Sequence, residues 1–186
     1  MSASAQNEST RTVWSVDKAH TSVEFAVKHM MFTTVRGRFA EFEIDVDFDE
    51  TNPERSTLEA RVEAATIDTR DVNRDAHLRS ADFLDAEKYP QLVFKSRRIE
   101  RASNGHYRII GDLTIRGVTR EVVLDTEFVG TGKNPWGANV AAFSAETKID
   151  RKDFGLNWNA ALEAGGWLVG DEVKIQLEVE LNQQQG

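Results

Sequence analysis

Arg38-Phe39-Ala40-Glu41-Phe42-Glu43-Ile44-Asp45-Val46-Asp47-Phe48 is the stretch that decides the fold. Phe42, Ile44, Val46 and Phe48 fall on one side of an extended chain, and Glu41, Glu43, Asp45 and Asp47 fall on the other. Alternation of this kind gives a strand one dry face and one wet face. That suits an antiparallel sheet and does not suit a buried parallel one. Residues 56–64 repeat the pattern, with Leu58, Ala60, Val62 and Ala64 opposite Glu59, Arg61 and Glu63. Residues 171–181 repeat it again, with Val173, Ile175, Leu177, Val179 and Leu181 opposite Lys174, Gln176, Glu178 and Glu180.

Working outward, further strands are expected over residues 22–29, 91–100, 107–115, 118–129 and 138–149, with a short run at 12–17 extending the first. Gly105, Gly117, the 130–137 stretch with Pro135, and Asn52-Pro53 supply turns. Residues 71–86 lack alternation and read as a short helix around 74–80, which Asp71 or Asn73 caps, followed by a turn that ends before Pro90. The sequence shows no internal repeat or domain boundary. Residues 1–11 and 183–186 read as frayed tails around one domain spanning 12–182. Eight or nine amphipathic strands can form a sandwich or a closed barrel. Long strands joined by hairpins, and the absence of edges in a barrel, favour the barrel.

Composition narrows the function. The chain has 186 residues, no cysteine and a formal net charge of −8. Thiolate metal sites and cysteine nucleophiles are thereby excluded, and an acidic chain is a poor ligand for nucleic acid or anionic membranes. No stretch approaches the roughly 20 apolar residues of a membrane-spanning helix, so membrane insertion is not expected. The polar N-terminus carries no secretory pattern, so a cytoplasmic protein is expected. A periplasmic or secreted one would follow if a signal had been removed.

Four histidines, His20, His29, His77 and His106, raise the question of a metal. A metal needs three or four converging ligands, but His20 and His29 lie about 30 Å apart along a straight strand. No paired-histidine motif occurs, and no metal or other cofactor is expected. Asp17 and His20 read as a local pair closing a turn. No Gly-x-Ser-x-Gly elbow surrounds Ser22, Ser80, Ser96 or Ser144, and no catalytic residue is assigned.

Several short motifs then occur in order. Trp14, Asp17, His20 and Phe25 come first, followed by Val35-Arg-Gly37-Arg-Phe39 and Arg74-Asp75-x-His77-Leu78 with Asp82-Phe83. Gly111-Asp-Leu113-Thr-Ile115-Arg-Gly117 and Arg151-Lys-Asp153-Phe154-Gly155 complete the series. In this order and spacing the chain resembles the YceI-like family from residue 13 to residue 180. The resemblance implies a closed, eight-stranded, antiparallel lipocalin-like barrel with one short helix near its mouth, often dimeric. Its apolar lumen would bind a polyisoprenoid or the tail of an isoprenoid quinone. Many members are periplasmic, where this sequence, with no signal, departs.

Strand parity selects the lining that such a guest would meet. Phe25 and Val27, Phe42 and Ile44, Leu58 and Val62, and Leu92 and Phe94 are expected to face inward. Leu124, Phe143, Ala145 and Ile175 join them, and Trp158 is expected either to cover the mouth as an aromatic lid or, as such aromatics more often do, to pin its long glycine-rich loop to the sheet. Periodicity alone leaves open whether these side chains fill the interior or surround a cavity. Arg74, His77 and Arg79 on the helix are the candidate contacts for a diphosphate or quinone head group, arginine offering forked donors. The reading set against this, and preferred on the residues alone, is that Arg74 and Asp75 lock the helix to the rim. Two functions are therefore expected to compete. One is non-enzymatic binding, storage or transport of the lipid. The other is an enzyme acting on a small apolar substrate through rim histidines and carboxylates.

Overall fold

The computed structural model describes residues 12–184. The expected tail at residues 1–11 lies outside the described residues. Among the described residues the chain forms, besides short 3-10 turns, eleven strands and one α-helix: β1 (Trp14–Val16), β2 (Ser22–His29), β3 (Thr33–Phe39), β4 (Phe42–Asp47), β5 (Thr57–Glu63), β6 (Ile67–Asp68), α1 (Val72–Arg79), β7 (Gln91–Ser103), β8 (His106–Ile115), β9 (Val118–Lys133), β10 (Asn139–Asp150) and β11 (Val169–Gln183). They form one curled antiparallel sheet in the order β4-β5-β7-β8-β9-β10-β11-β2-β3-β6, with β1 on the far end of β11. The all-β fold and the single short helix match the sequence reading.

Closure and strand count do not. The expected barrel is closed and eight-stranded, whereas this sheet has eleven strands and a seam between β4 and its neighbours. The reason lies at Ala40 and Glu41, where the 38–48 run breaks into two strands. β3 pairs with β6 and β4 pairs with β5, so the two halves of the run join different parts of the sheet. Thr66 and Glu63 hold the corner: Ala40 N–H donates to the Thr66 carbonyl, Glu41 N–H to Thr66 Oγ1, and Glu63 N–H to the Glu41 carbonyl. Higher up, β1 lies beside β4 without a hydrogen-bond ladder, and a Lys18–Glu43 ion pair spans the gap. β11 thus divides its edge, giving residues 169–178 to β2 and residues 181–183 to β1. Gln183 is consequently a strand residue opposite Trp14, so the C-terminal tail does not start at 183.

β3 was not expected as a strand. Its inward positions are Val35, Gly37 and Phe39, and Gly37 stands opposite Phe25. A Cβ on Gly37 would sit 2.3 Å from Phe25 Cζ and 2.9 Å from Thr69 Cγ2, so the ring of Phe25 fills the place of the missing side chain. β9 also runs past its expected end. Opposite it, the register slips between Ala142 and Phe143, leaving Val129 as an extra, exposed residue, and Gly130 takes φ 155° in the strand. The turn there is confined to residues 134–137.

The wet and dry faces fall where alternation places them. Ile44, Phe48, Ala60, Val62 and Ala64 are buried, while Glu43, Asp45 and Asp47 are exposed. α1 starts at Val72, two residues earlier than expected. Asp71 caps it through a hydrogen bond from Arg74 N–H, 2.9 Å. The turn after α1 drives Phe83, Leu84 and Ala86 into the interior.

Candidate functional site: a two-chambered lumen

Two cavities are stacked along the inside of the sheet. The one beneath α1 has a volume of about 180 Å³ and the other about 370 Å³. Strands β5, β7, β8, β9, β10 and β11 each run past both, while β2 and β3 border only the first and β4 only the second. On β7, Leu92 and Phe94 face the first chamber and Ile99 and Arg101 the second. On β8, Ile115 and Leu113 face the first and Ile109 and Tyr107 the second. On β10 the order is Ile149 and Thr147, then Ala145 and Phe143. Leu58, Leu124 and Leu177 border both, so they form a waist. Each comes from a different strand, and each sits in the middle of its inward row.

Most of the expected lining residues are found there. Phe25, Val27, Val62, Leu92, Phe94 and Ile175 wall the first chamber; Ile44, Phe143 and Ala145 wall the second; Leu58 and Leu124 stand at the waist. Two do not fit. Phe42, at the first position after the Ala40–Glu41 corner, packs against the core without reaching either chamber. Trp158 also lines neither. Its ring lies 4.5 Å from that of His77 and 5.4 Å from that of Phe83, measured between centroids. Trp158 is therefore a brace behind Phe83, and Phe83 together with Leu78 and Leu84 forms the floor of the first chamber. Arg116 holds that floor through a 2.9 Å hydrogen bond from Nη1 to the Phe83 carbonyl.

The helix residues are turned to structure. Arg74 donates from Nε to Thr69 Oγ1 at 2.8 Å and from Nη2 to the Thr69 carbonyl at 2.9 Å. Buried Asp75 accepts from the N–H and hydroxyl of the same threonine at 2.8 and 2.6 Å. Both residues thus lock α1 to the chain leaving β6. His77 Nε2 lies 2.9 Å from Asp82 Oδ2. None of Arg74, His77 and Arg79 lines a chamber.

Arg151 is the important residue that strand patterns cannot find. It is 2% exposed and borders the first chamber. Its Nε donates to the Gly170 carbonyl at 2.8 Å, and its Nη1 donates to the carbonyls of Leu156 and Trp158 at 2.6 and 2.9 Å. Nη2 reaches the Val169 carbonyl at 3.3 Å, with Asp171 3.6 Å away. Burial lowers its pKa, and Asp171 and Asp150 oppose that shift. One guanidinium thus ties the two ends of the glycine-rich 155–170 loop to the end of β10. Asn159 adds a second tie, exchanging two hydrogen bonds with the backbone of Val169.

The Asp17–His20 pair forms as expected, Nδ1 lying 2.9 Å from Asp17 Oδ2 on the outer surface. Glu180 brings a third potential ligand, and the ligand atoms of these three residues lie within 4.8 Å of one another. His20 is exposed and the two carboxylates are half-buried, and the three are already engaged with one another and with Asn182. Hydrogen bonding and the charge of Asp17 raise the His20 pKa above that of free imidazole, and the bond from His20 lowers that of Asp17. The stabilisation from His20 is therefore complete below the unfolded imidazole pKa and disappears as pH rises through the folded one. In an NMR titration the His20 midpoint is expected to lie above 6.5 and to fall in Asp17→Asn. An unchanged midpoint in that variant would show that the pair does not form in solution.

The geometry has relatives. The YceI-like domain model matches residues 14–181. A UPF0312 protein of Vibrio cholerae is 38% identical over 138 residues, which cover 74% of this chain and 73% of that protein. The YCEI protein of Campylobacter jejuni is 33% identical and superposes with a TM-score of 0.73, covering 92% of this chain and 98% of that one. A polyisoprenoid binding domain from Saccharophagus degradans shares the fold at 11% identity, with a TM-score of 0.65 over 93% of this chain and 99% of its own. The chain belongs to the YceI-like family.

Proposed function

We propose that the chain is a non-enzymatic carrier or buffer for a long apolar molecule of the isoprenoid type, held along the lumen. The observation that carries this reading is the pair of apolar chambers stacked in line through a common waist of Leu58, Leu124 and Leu177. A chain-shaped guest fits two chambers in series, whereas a compact metabolite would need only one. A cavity of about 150 Å³ holds one benzene ring, so the first chamber has room for about one five-carbon unit and the second for about two. Each buried methylene contributes about 0.8 kcal/mol, so one unit gains up to about 4 kcal/mol gross. Ordering the chain offsets much of this, and a few units suffice for useful affinity. The kinship in fold with a polyisoprenoid binding domain agrees with this reading.

An enzyme working through rim histidines has less support. His20 is paired on the outer surface and His77 is held by Asp82, and no histidine borders either chamber. The test is mass spectrometry of an organic extract of the purified protein. An apolar chain approaching one molecule per protein is the expected result. A lipid-free extract, together with turnover of a small substrate, would contradict the reading.

A further inference from the structure

The two chambers differ in chemistry, and the difference gives the lumen a direction. Of the three polar residues that border the first chamber, only Thr147 offers a guest anything, a single buried hydroxyl. Arg151 spends its donors on backbone carbonyls, and Glu24 lies on an alternate position of β2 whose neighbours Val23 and Phe25 face inward. The second chamber is bounded by polar side chains at its outer end: Glu50, Thr51, Thr57, Arg101 and Tyr107. The Arg101 guanidinium lies over the Tyr107 ring, 5.5 Å from its centroid. Neither the guanidinium nor the phenol hydroxyl has a hydrogen bond or ion pair among the described residues. This mouth is at the opposite end of the lumen from α1.

Resting on the carrier reading, we infer that the guest is bound in one orientation: its apolar chain passes the leucine waist into the dry chamber under α1, and its head group stops at the Arg101–Tyr107 mouth. The chemistry of that mouth also selects the head group. The lining of this chamber holds one cation, Arg101, and one carboxylate, Glu50, and the Glu54 carboxylate accepts a hydrogen bond from the Arg101 backbone N–H at 3.2 Å. A diphosphate would bring several negative charges to a place with one arginine and two carboxylates, on a chain of net charge −8. A neutral acceptor such as a hydroxyl or a quinone-type carbonyl instead gains two donors at no such cost. The head group is therefore a small, uncharged, hydrogen-bonding one.

Titrating delipidated protein with farnesol, farnesyl diphosphate and the headless hydrocarbon farnesane tests this. Wild-type protein is expected to bind farnesol roughly tenfold more tightly than farnesane, as befits one or two hydrogen bonds, and more tightly than the diphosphate. Arg101→Met with Tyr107→Phe should bring farnesol down to the farnesane level while leaving farnesane itself unchanged. Tyr107→Phe alone, which removes one hydroxyl, serves if the double variant is unstable. Arg79→Ala, on the helix but outside both chambers, should alter none of the three. Tightest binding of the diphosphate, or a farnesol preference that survives the mouth variants, would overturn the inference while leaving the carrier reading intact. Failure of all three ligands to bind would overturn the carrier reading, and the inference with it.

Discussion

Replacing Ala145 with Phe is expected to weaken isoprenoid binding tenfold or more while moving the melting temperature by only a degree or two. Ala145 is buried on β10, opposite Leu177 of β11 and Thr126 of β9, and all three border the larger chamber. The added ring needs about the space of a benzene, and the chamber of about 370 Å³ provides it. It does so in the place the guest's chain would occupy, and a tenfold loss corresponds to about 1.4 kcal/mol. If the interior were packed solid, the same substitution would be overpacking and would cost about 1–3 kcal/mol of stability. Thermal melts and lipid titrations on this variant therefore move in opposite directions under the two descriptions. A strongly destabilised Ala145→Phe protein would argue for a filled core.

Arg151→Met is expected to have the largest effect on stability. Methionine approximates the volume of the arginine stem but donates nothing, so the carbonyls of Leu156, Trp158, Val169 and Gly170 lose their shared donor. Losing the partner of several buried polar groups costs about 3–5 kcal/mol, which lowers the melting temperature of a domain this size by on the order of 10 °C. Local effects should match. Amides of the 155–170 loop should exchange with solvent faster than those of β8 and β9, because the loop loses its anchor while the central sheet keeps its ladders. A loss below about 1 kcal/mol would mean that the loop is held by Asn159 and by its aromatic contacts.

The strand rows were legible because their outer faces are wet. β4, β5 and β11 carry charge at alternate positions, and no other periodicity fits them. β3 is not legible, since its central inward position is Gly37 and the apolar row of Val35 and Phe39 therefore has no side chain at its middle. What makes it a strand is the Phe25 ring from the next strand, a contact between residues far apart in the pattern. The corner at Ala40–Glu41 was hidden for a related reason: the alternation of residues 42–48 extends plausibly backward, and only the pairing of β3 with β6 breaks it.

The site divides in the same way. Parity identifies which side chains face inward, and most of those it selects border one of the two chambers. Parity does not say whether facing rows meet, so the chambers and the waist depend on how far apart the sheet holds Leu58, Leu124 and Leu177. Arg151 stood in a quoted motif, yet its role depends on carbonyls contributed by a loop with no periodic signal. Arg74 and His77 stand out in the sequence as polar residues on α1. Their partners, Thr69 and Asp82, are local, and they fix the helix rather than face a guest.

The most direct measurement uses methyl-labelled leucine. In protein stripped of lipid and titrated with farnesol, the methyl groups of Leu58, Leu124 and Leu177 should shift together and saturate at one ligand per chain. Intermolecular nuclear Overhauser contacts should run from the farnesol chain to these three and onward to Leu92 and Leu113 in the chamber under α1. Shifts confined to methyls outside the two chambers, or no shift at saturating ligand, would contradict a chain threaded along the lumen.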